Sequence, residues 1–478
     1  MFIGRTREQE VLNNLYKSER FEFAVICGRR RVGKTALINQ FIVGKKAIYF
    51  TGVESNEKQN LEIFSKSVMD FFGGEETEAY FSSFQSALEY IFKIAEKERL
   101  VLVIDEYPYA DRSSKSLGYA LQFLIDKYKD SSKLMLVLCG SLPYMEENIF
   151  GDNASLYDRK TAQIRLLPFD FEEVCQYFKN FSDEEKALVY GIVGGTPHYL
   201  LQINDKLSIE ENIKNTYLNP TSFLHEEPTN LLKQEVREPA VYTAIITAIA
   251  NGASRMSEIS GKTGEDTNVC SIYIKNLINL GIVKKETPYS DKSSRKSVYS
   301  IEDNMFRFWY RFVPANNSII ARGAADLAYN RISPQLSGYM DKVFQEICKQ
   351  YLWKKLISGN CPVEFTSLGS WWSSNSKAKN QESIDIMGEQ DKDTALFAEC
   401  EWTDEKTDSG VLKDLVNRSG LFEYKEKHYY LFSKSGFTKA CIDKAKEMGN
   451  VNPVELSDLT KTVFADDRND YAVPVWLI

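Results

Sequence analysis

Histidine is scarce in this chain, and its cysteines form no paired motif. The 478 residues include three histidines and eight cysteines, and no two cysteines stand in a CxxC pair. Three histidines are too few, and too widely separated, to indicate a histidine-based zinc site. Scattered cysteines within apolar segments are typical of reduced, buried thiols in the cytoplasm rather than of a disulfide framework.

Long apolar runs and an excess of positive charge are also missing. No apolar run is long enough to span a bilayer, and the opening MFIGRTREQE lacks the apolar core of a signal peptide. We therefore expect a cytoplasmic protein without membrane contact. The formal net charge of −8 excludes a uniformly basic nucleic-acid-binding protein but leaves room for a local basic patch. A hydrophobic fraction of 43% is enough to build several cores.

A phosphate-binding motif follows the first apolar strand. The strand FEFAVI leads into GRRRVGKT at residues 28–35, which fits GxxxxGK[ST], and an apolar helical segment comes next. Backbone N–H groups of such a loop wrap a phosphate, Lys34 would reach the β- and γ-oxygens, and Thr35 would offer its hydroxyl to Mg²⁺. The residues predicted to bind ATP here are Gly28, Arg29, Arg30, Arg31, Val32, Gly33, Lys34, Thr35 and Ala36.

Acidic and polar residues follow the next two apolar strands. The run 100–104 ends in Asp105 and Glu106. Asp105 would bind Mg²⁺ through water, and Glu106 would polarise the attacking water. The run 133–140 ends in Ser141, which would either sense the γ-phosphate or cap the end of the strand.

Several segments together resemble one family. FIGRTREQEVL, the phosphate-binding motif, VIDEYPY, LCGS, LYDRKTAQIRLLPF and GGTPHYL resemble the archaeal-type ATPases of the AAA+/STAND group. The resemblance implies that Phe2, Ile3 and Arg5 lie against the nucleotide base. It also implies that GGTPHYL, with Pro197, is a lid motif folding over the nucleotide; the alternative is an ordinary helix–turn junction.

Two arginines near the last strand of the first domain are further candidates. Arg159 and Arg165 lie in the basic stretch LYDRKTAQIR. By the same resemblance, either could contact the γ-phosphate. The alternative for both is an ordinary surface arginine.

Residues 236–302 predict a winged helix-turn-helix. Three helical segments are followed by two strands around a polar tip. Basic residues cluster on the third helix and the wing, where duplex DNA would lie. Two roles stay open: DNA binding, or internal packing and protein contact as a STAND regulatory element. The basic residues are Lys275, Lys284, Lys285, Lys292, Arg295 and Lys296.

The last third contains four acidic residues in a suggestive order. Glu346 lies on an amphipathic helix, Asp385 on a strand, and Glu399 and Glu401 on the next strand, FAECEW. Because strand side chains alternate, Glu399 and Glu401 point to the same face. This order resembles the PD-(D/E)XK nuclease fold, which the archaeal ATPases carry at their C-terminus. The resemblance implies that Glu346, Asp385 and Glu399 hold Mg²⁺.

Glu401 departs from that nuclease pattern. It stands where the fold usually has a lysine, and an anion cannot stabilise developing negative charge as a cation does. Some members of the fold use a glutamate here as an extra metal ligand or base. Two interpretations remain: a metal-dependent nuclease with Glu401 as a fourth ligand, or a degenerate domain kept for its fold, for protein contacts or for nucleic-acid binding without cleavage.

Taken together, the sequence predicts an α/β protein in four parts. They are a P-loop NTPase core with a parallel sheet (1–168), a helical lid (169–235), the winged helix-turn-helix (236–302) and an α/β nuclease-like domain (303–478). The expected function is an ATP-dependent switch that couples nucleotide state to the last domain. An ATP-gated nuclease and a DNA-binding regulator are the alternatives. STAND relatives often assemble when ATP-bound, so the resemblance also implies a homo-oligomer or a protein partner.

Overall fold

The chain divides into two compact units. A computed structural model describes residues 2–73, 81–151, 154–289, 297–372 and 382–461. One unit ends at Pro168 and the other begins at Phe169; the finer boundaries at 235 and 302 stay predictions. Lys292, Arg295 and Lys296 of the predicted basic patch lie outside the described residues. Within those residues, no helix has the length and apolar character needed to cross a membrane.

The first unit is built on a parallel five-stranded sheet in the order β2-β3-β4-β1-β5. Its central strands are continuous apolar runs because helices cover both faces. The strands are β1 Glu22–Gly28, β2 Ala47–Thr51, β3 Leu100–Asp105, β4 Leu134–Ser141 and β5 Ala162–Arg165. The helices are α1 Thr6–Lys17, α2 Lys34–Ile42, α3 Glu57–Phe72, α4 Phe84–Ile94, α5 Tyr107–Ser113, α6 Leu117–Tyr128 and α7 Leu142–Asn148. This confirms the predicted P-loop NTPase architecture.

Strand register brings the predicted polar residues to one edge of this sheet. Gly28 at the end of β1 pairs with Ser141 at the end of β4. Asp105, at the end of β3, pairs with Thr51 of β2. In a parallel sheet all carboxyl ends meet at the same edge, which is where ligands bind in open α/β folds.

The second unit begins with helices. The first five are α8 Phe171–Tyr177, α9 Asp183–Val193, α10 Pro197–Leu200, α11 Ile209–Thr216 and α12 Phe223–Glu235. Three more helices and an antiparallel hairpin follow, in the order predicted for residues 236–302: α13 Pro239–Ala250, α14 Met256–Thr263, α15 Thr267–Asn279, β6 Val283–Glu286 and β7 Val298–Ile301. Capping boxes at Ser182 and Ser208 begin α9 and α11, since each serine accepts a hydrogen bond from a first-turn N–H group.

A mixed sheet forms the end of the second unit. Its five strands lie in the order β12-β11-β10-β9-β8. They are β8 Gly369–Trp372, β9 Ser383–Glu389, β10 Thr394–Glu401, β11 Glu426–Ser433 and β12 Val451–Glu455. The accompanying helices are α16 Asn304–Ile320, α17 Ala325–Ile332, α18 Leu336–Ile357, α19 Ser409–Ser419, α20 Lys439–Met448 and α21 Leu456–Leu459. The predicted C-terminal α/β domain is therefore present.

Gly195 of the GGTP segment packs tightly against the first residue of its unit. The backbone N–H of Phe169 donates to the carbonyl oxygen of Gly195 at 2.8 Å. A Cβ atom at Gly195 would lie 1.8 Å from the carbonyl oxygen of Phe169. No side chain fits at that distance, so glycine is required here by close backbone approach.

Gly195→Ala should therefore destabilise the second unit. Overpacking of this kind costs about 1–3 kcal/mol, measured as the change in unfolding free energy in denaturant titrations. Gly261→Ala is the matched control, because a Cβ at Gly261 on α14 meets nothing within 4 Å. We expect that control to be neutral or slightly stabilising; an equal loss in both variants would contradict the packing account.

Candidate functional site

The loop between β1 and α2 is shaped by close approach and by left-handed backbone. A Cβ atom at Gly28 would lie 2.5 Å from the carbonyl oxygen of Leu166. Arg31 and Gly33 both have positive φ, at 74° and 94°, and α2 begins at Lys34 directly after Gly33. The loop therefore turns sharply into the N-terminus of a nine-residue helix, whose free N–H groups and dipole favour an anion.

Lys34 is buried with its charge facing carbonyl groups only. Its side chain is 9% exposed, and Nζ donates to the carbonyl oxygens of Gly28 and Arg29, both at 3.0 Å. Among the residues that the structure describes, no carboxylate lies within ion-pair distance of this ammonium group. Buried charge without a counter-ion is costly. An anion such as a phosphate fits this position.

Thr35 and Asp105, two of the predicted magnesium ligands, are in contact with each other. The Thr35 hydroxyl donates to Asp105 Oδ2 at 2.8 Å, and the backbone N–H of Glu106 donates to Oδ1 at 2.9 Å. Asp105 is almost fully buried. A hydroxyl and a carboxylate are hard oxygen donors of the kind Mg²⁺ prefers. The residues present therefore fit the ion, and its binding stays a prediction.

Tyr49 is a member of this site that the sequence did not indicate. It lies on β2, and its hydroxyl donates to Asp105 Oδ2 at 2.6 Å. Burial, the hydrogen bond to Asp105 and the Asp105 charge raise the pKa of Tyr49, so the phenol remains a donor. Only the strand order, which places β2 beside β3, brings it there.

Glu106 and Ser141 also lie at the carboxyl edge of the sheet. Glu106 precedes α5 with a positive φ of 49°, a left-handed conformation that non-glycine residues adopt mainly at special sites. Ser141 precedes α7, but its side chain makes no capping hydrogen bond to that helix. The hydroxyl therefore does not cap that helix, and both the phosphate-sensing role and the cap at the end of the strand stay predictions.

Arg5 braces the phosphate-binding loop from the N-terminal segment. Its Nη2 donates to the carbonyl oxygens of Val32 at 3.1 Å and of Leu167 at 2.6 Å. Arg5 is buried, Ile3 is half-buried, and Phe2 is 36% exposed. Arg5 thus positions the loop through a backbone contact, while contact of these residues with a nucleotide base stays a prediction.

The remaining candidates of the nucleotide site differ in their surroundings. Arg159 donates two hydrogen bonds to the carboxylate of Asp126 on α6, from Nε at 3.0 Å and from Nη2 at 2.7 Å. It is therefore engaged in a surface ion pair. Arg165 is the Cα partner of Cys27 in the β1–β5 register and therefore lies beside the start of the loop. Pro197 begins α10 of the second unit, and its lid role stays a prediction.

Glu346 on α18 is held by two lysines rather than by other carboxylates. Its Oε1 lies 2.7 Å from Lys284 Nζ and 3.1 Å from Lys349 Nζ. Burial alone would raise the pKa of Glu346, but the two lysine charges lower it to about 2. The helix residue that reaches Asp385 is Gln345, whose Nε2 lies 3.4 Å from Asp385 Oδ1. One residue turns a helix by about 100°, so the two neighbours face different partners.

Glu399 and Glu401, which lie on the same face of β10, are stabilised by a nearby arginine and have raised pKa values. Arg418 of α19 donates to Glu399 Oε2 at 2.9 Å, and Asp385 Oδ2 accepts the Cys400 N–H at 3.0 Å. Burial, and then the charge of Asp385, raise the pKa of Glu399 to about 8. Burial also raises the pKa of Asp385 and of Glu401. Arg418 therefore supplies positive charge at this strand, which the sequence pattern did not indicate.

The geometry changes the prediction that four carboxylates surround one metal ion. Among the residues that can be described, no group of three or more His, Cys, Asp or Glu side chains is placed to hold a metal ion. Glu346 is engaged with lysines and Glu399 with Arg418. Glu346 therefore does not join Asp385 as the resemblance implied, because α18 presents Gln345, not Glu346, to Asp385. Metal binding by Asp385, Glu399 and Glu401 stays a prediction.

Two known families match separate parts of the chain. Residues 2–203 match a family described as an ATPase domain predominantly from Archaea. Residues 309–411 match a family of archaeal and bacterial proteins of unknown function. Residues 2–203 are thus similar to an archaeal-type ATPase domain, and the second match assigns no activity to the C-terminal sheet.

One relative is similar to this chain in sequence, and two solved proteins are similar to it in structure. An uncharacterised protein of Methanocaldococcus jannaschii is 29% identical over 470 residues, which cover 96% of this chain and 100% of the relative. The solved Walker-type ATPase of Pyrococcus abyssi is 16% identical with a TM-score of 0.48, over 65% of this chain and 96% of that one. The Aeropyrum pernix ORC2 protein, solved in ADPNP–ADP complexes, is 14% identical with a TM-score of 0.43, over 68% and 96%.

The raised pKa of Glu399 predicts how stability varies with pH. A carboxyl whose pKa rises from 4.5 to about 8 on folding stabilises the fold while protonated, and this contribution is lost as the pH rises through that interval. Glu399→Gln keeps a neutral side chain at every pH. We expect it to be more stable than the natural protein at pH 8.5, on the order of 2 kcal/mol, with little difference near pH 4.5.

Thermal unfolding of the two proteins between pH 4.5 and 8.5 measures this difference. Glu447→Gln is the control, because Glu447 is exposed and its ion pair is with Lys444. Unfolding temperatures of Glu399→Gln that run parallel to those of the natural protein across this range would contradict the protonated state of Glu399.

Proposed function

We propose that this protein is an ATP-binding and ATP-hydrolysing switch of the STAND/AAA+ type. The observation that carries the proposal is the buried ammonium group of Lys34, which contacts only the carbonyls of its own loop. Next to it, Thr35 contacts Asp105 across the edge of the sheet. Such a cradle is suited to the β- and γ-phosphates of a nucleoside triphosphate with Mg²⁺.

Each residue of the cradle has a defined role in this proposal. Lys34 would exchange its carbonyl contacts for phosphate oxygens. Thr35 and Asp105 would hold Mg²⁺, which when bound supplies positive charge to the transferring phosphate. Glu106 would orient the attacking water and accept its proton, while Ser141 and Arg165 would contact the γ-phosphate.

A switch requires that the nucleotide state reaches the second unit. Phe169, the first residue of that unit, is hydrogen-bonded to Gly195, and α10 begins two residues later. If nucleotide binding moved the backbone at Pro168, the hydrogen bond between Phe169 and Gly195 would transmit that movement to the lid segment. This supports coupling between nucleotide binding and the helices that follow.

Duplex DNA is the partner we propose for the module formed by α13–α15 and the β6–β7 hairpin. The exposed positions of α15 are short polar residues, one lysine and one isoleucine: Thr267, Asn268, Ser271, Ile272, Lys275 and Asn276. A helix of this composition fits the major groove, where side chains of this type bond to base edges and phosphates. An ATP-dependent homo-oligomer stays a prediction from family resemblance alone.

Nucleic-acid cleavage by the C-terminal sheet is left out of the proposal. Hydrolysis by the predicted mechanism needs carboxylates free to bind Mg²⁺ and a cation near the attacked phosphate. Glu346 and Glu399 are instead engaged with basic side chains. The C-terminal domain is better explained as the element that the switch repositions.

Lys34→Ala should abolish ATP binding. The substitution removes a buried ammonium group that donates to the carbonyl oxygens of Gly28 and Arg29, and charge-assisted phosphate contacts are strong. We expect at least about a hundredfold weaker binding of a fluorescent ATP analogue in the presence of Mg²⁺. Lys46→Ala, which removes an exposed lysine paired with Glu98, is the control. Unchanged affinity in Lys34→Ala would refute the site.

Glu106→Gln should separate binding from hydrolysis. A glutamine retains the size of the side chain but cannot accept the proton of water, so turnover should fall by about 10²–10⁴-fold while ATP affinity stays near that of the natural protein. Phosphate release and nucleotide titration measure the two quantities, with the exposed Glu96→Gln as control. Hydrolysis at the natural rate would show that another residue is the base.

A further inference from the structure

The β6–β7 hairpin is bound to helix α18 by a ring of four alternating charges. Lys284 Nζ lies 2.7 Å from Glu346 and 3.2 Å from Glu286. Lys349 Nζ lies 3.1 Å from Glu346 and 3.8 Å from Glu286. Each lysine thus contacts both glutamates. Since all four side chains are at most 35% exposed, the ring is better shielded from solvent than an ordinary surface ion pair.

A second contact ties the same segment to the open edge of the C-terminal sheet. Tyr289, just after β6, donates its backbone N–H to the carbonyl oxygen of Ser370 on β8 at 2.9 Å. Its hydroxyl accepts the N–H of Glu389 at 2.9 Å. A Cβ atom at Gly369 would lie 2.9 Å from the Tyr289 ring, so the glycine makes room for it. Strand β8 is an outer strand, and Tyr289 satisfies part of its free edge.

The surface between these two contacts is open. A cleft of about 1010 Å³ runs between the hairpin and the C-terminal elements. Both Lys284 and Glu346 line it, together with Arg311, Lys342 and Trp372. At this cleft the hairpin and the C-terminal elements are separated by open space, while Val283 of the hairpin and Phe344 of α18 belong to the same apolar core. The charge ring and the Tyr289 hydrogen bonds are polar contacts beside the cleft, so their loss would leave that apolar core in place.

We infer that the hairpin is a latch, and that its docking on the C-terminal domain competes with binding of duplex DNA. Lys284 cannot neutralise a DNA phosphate while Glu346 and Glu286 hold its ammonium group. In a helix–helix–helix–hairpin module, the hairpin lies beside the helix that contacts DNA. The side facing α18 and β8 is covered in the docked state. The competition rests on the proposed DNA binding of this module, whereas the latch itself does not.

Hydrogen–deuterium exchange of the full chain tests the latch without any DNA. Glu346→Gln removes one of the two negative charges of the ring. Tyr289→Ala independently removes the contact with β8 and β9. We expect amides in residues 283–289 and 369–372 to exchange about tenfold faster in each variant, with α15 unchanged. Glu447→Gln removes one exposed negative charge elsewhere in the same unit and should match the natural protein. Natural exchange rates in both segments of both variants would overturn the latch.

Fluorescence anisotropy with a labelled 30-base-pair duplex tests the competition. Glu346→Gln should bind the duplex about tenfold more tightly than the natural protein and with a steeper dependence on salt, because Lys284 becomes available to a phosphate. Glu447→Gln controls for the change in net charge. Faster exchange of the hairpin without a gain in DNA affinity would overturn the competition, as would absence of DNA binding in every variant. Neither result bears on ATP binding, which the Lys34→Ala experiment measures separately.

Discussion

The buried ammonium group of Lys34 is the interaction on which the nucleotide site depends. Its position follows from three constraints. The apolar strand β1 fixes the start of the loop, and Arg5 donates a hydrogen bond to the Val32 carbonyl oxygen. Gly28 allows the loop to pass close to Leu166, since a Cβ atom there would lie 2.5 Å from the Leu166 carbonyl oxygen. The strand order then places Asp105 within hydrogen-bond distance of Thr35. The loop therefore has a defined shape before any phosphate arrives, which lowers the ordering cost of binding.

In the second unit, some of the shielded charges are acidic side chains next to lysine or arginine. Two of the acidic side chains that resemble a metal site lie beside basic partners: Glu346 has Lys284 and Lys349, and Glu399 has Arg418. Where partners are too few for the crowded acids of β10, burial and repulsion raise the pKa of Glu399. Ion pairs here join the hairpin to helix α18, and this connection would give the proposed switch a surface to control.

The phosphate-binding loop, Asp105 and Ser141 could be placed at one edge of the sheet from the sequence because each directly follows an apolar run. A buried strand is recognisable locally, and parallel strands deliver their ends to one edge. The partners of the acids could not be predicted, since they depend on long-range register and on helix phase. Tyr49 reaches Asp105 only because β2 lies beside β3, and Gln345 rather than Glu346 faces Asp385 because of a single helical step. Arg418 lies 17 residues beyond Glu401, with no motif linking them.

The central claim is that Lys34, Thr35 and Asp105 form a cradle for Mg²⁺-bound ATP. The most direct measurement is a crystal structure of the chain with Mg²⁺ and a non-hydrolysable ATP analogue. The account predicts that Lys34 Nζ leaves the carbonyl oxygens of Gly28 and Arg29 for phosphate oxygens, and that the Thr35 hydroxyl turns from Asp105 to the metal ion. A bound analogue with Lys34 still on those carbonyls, or an analogue bound elsewhere in the chain, would contradict it.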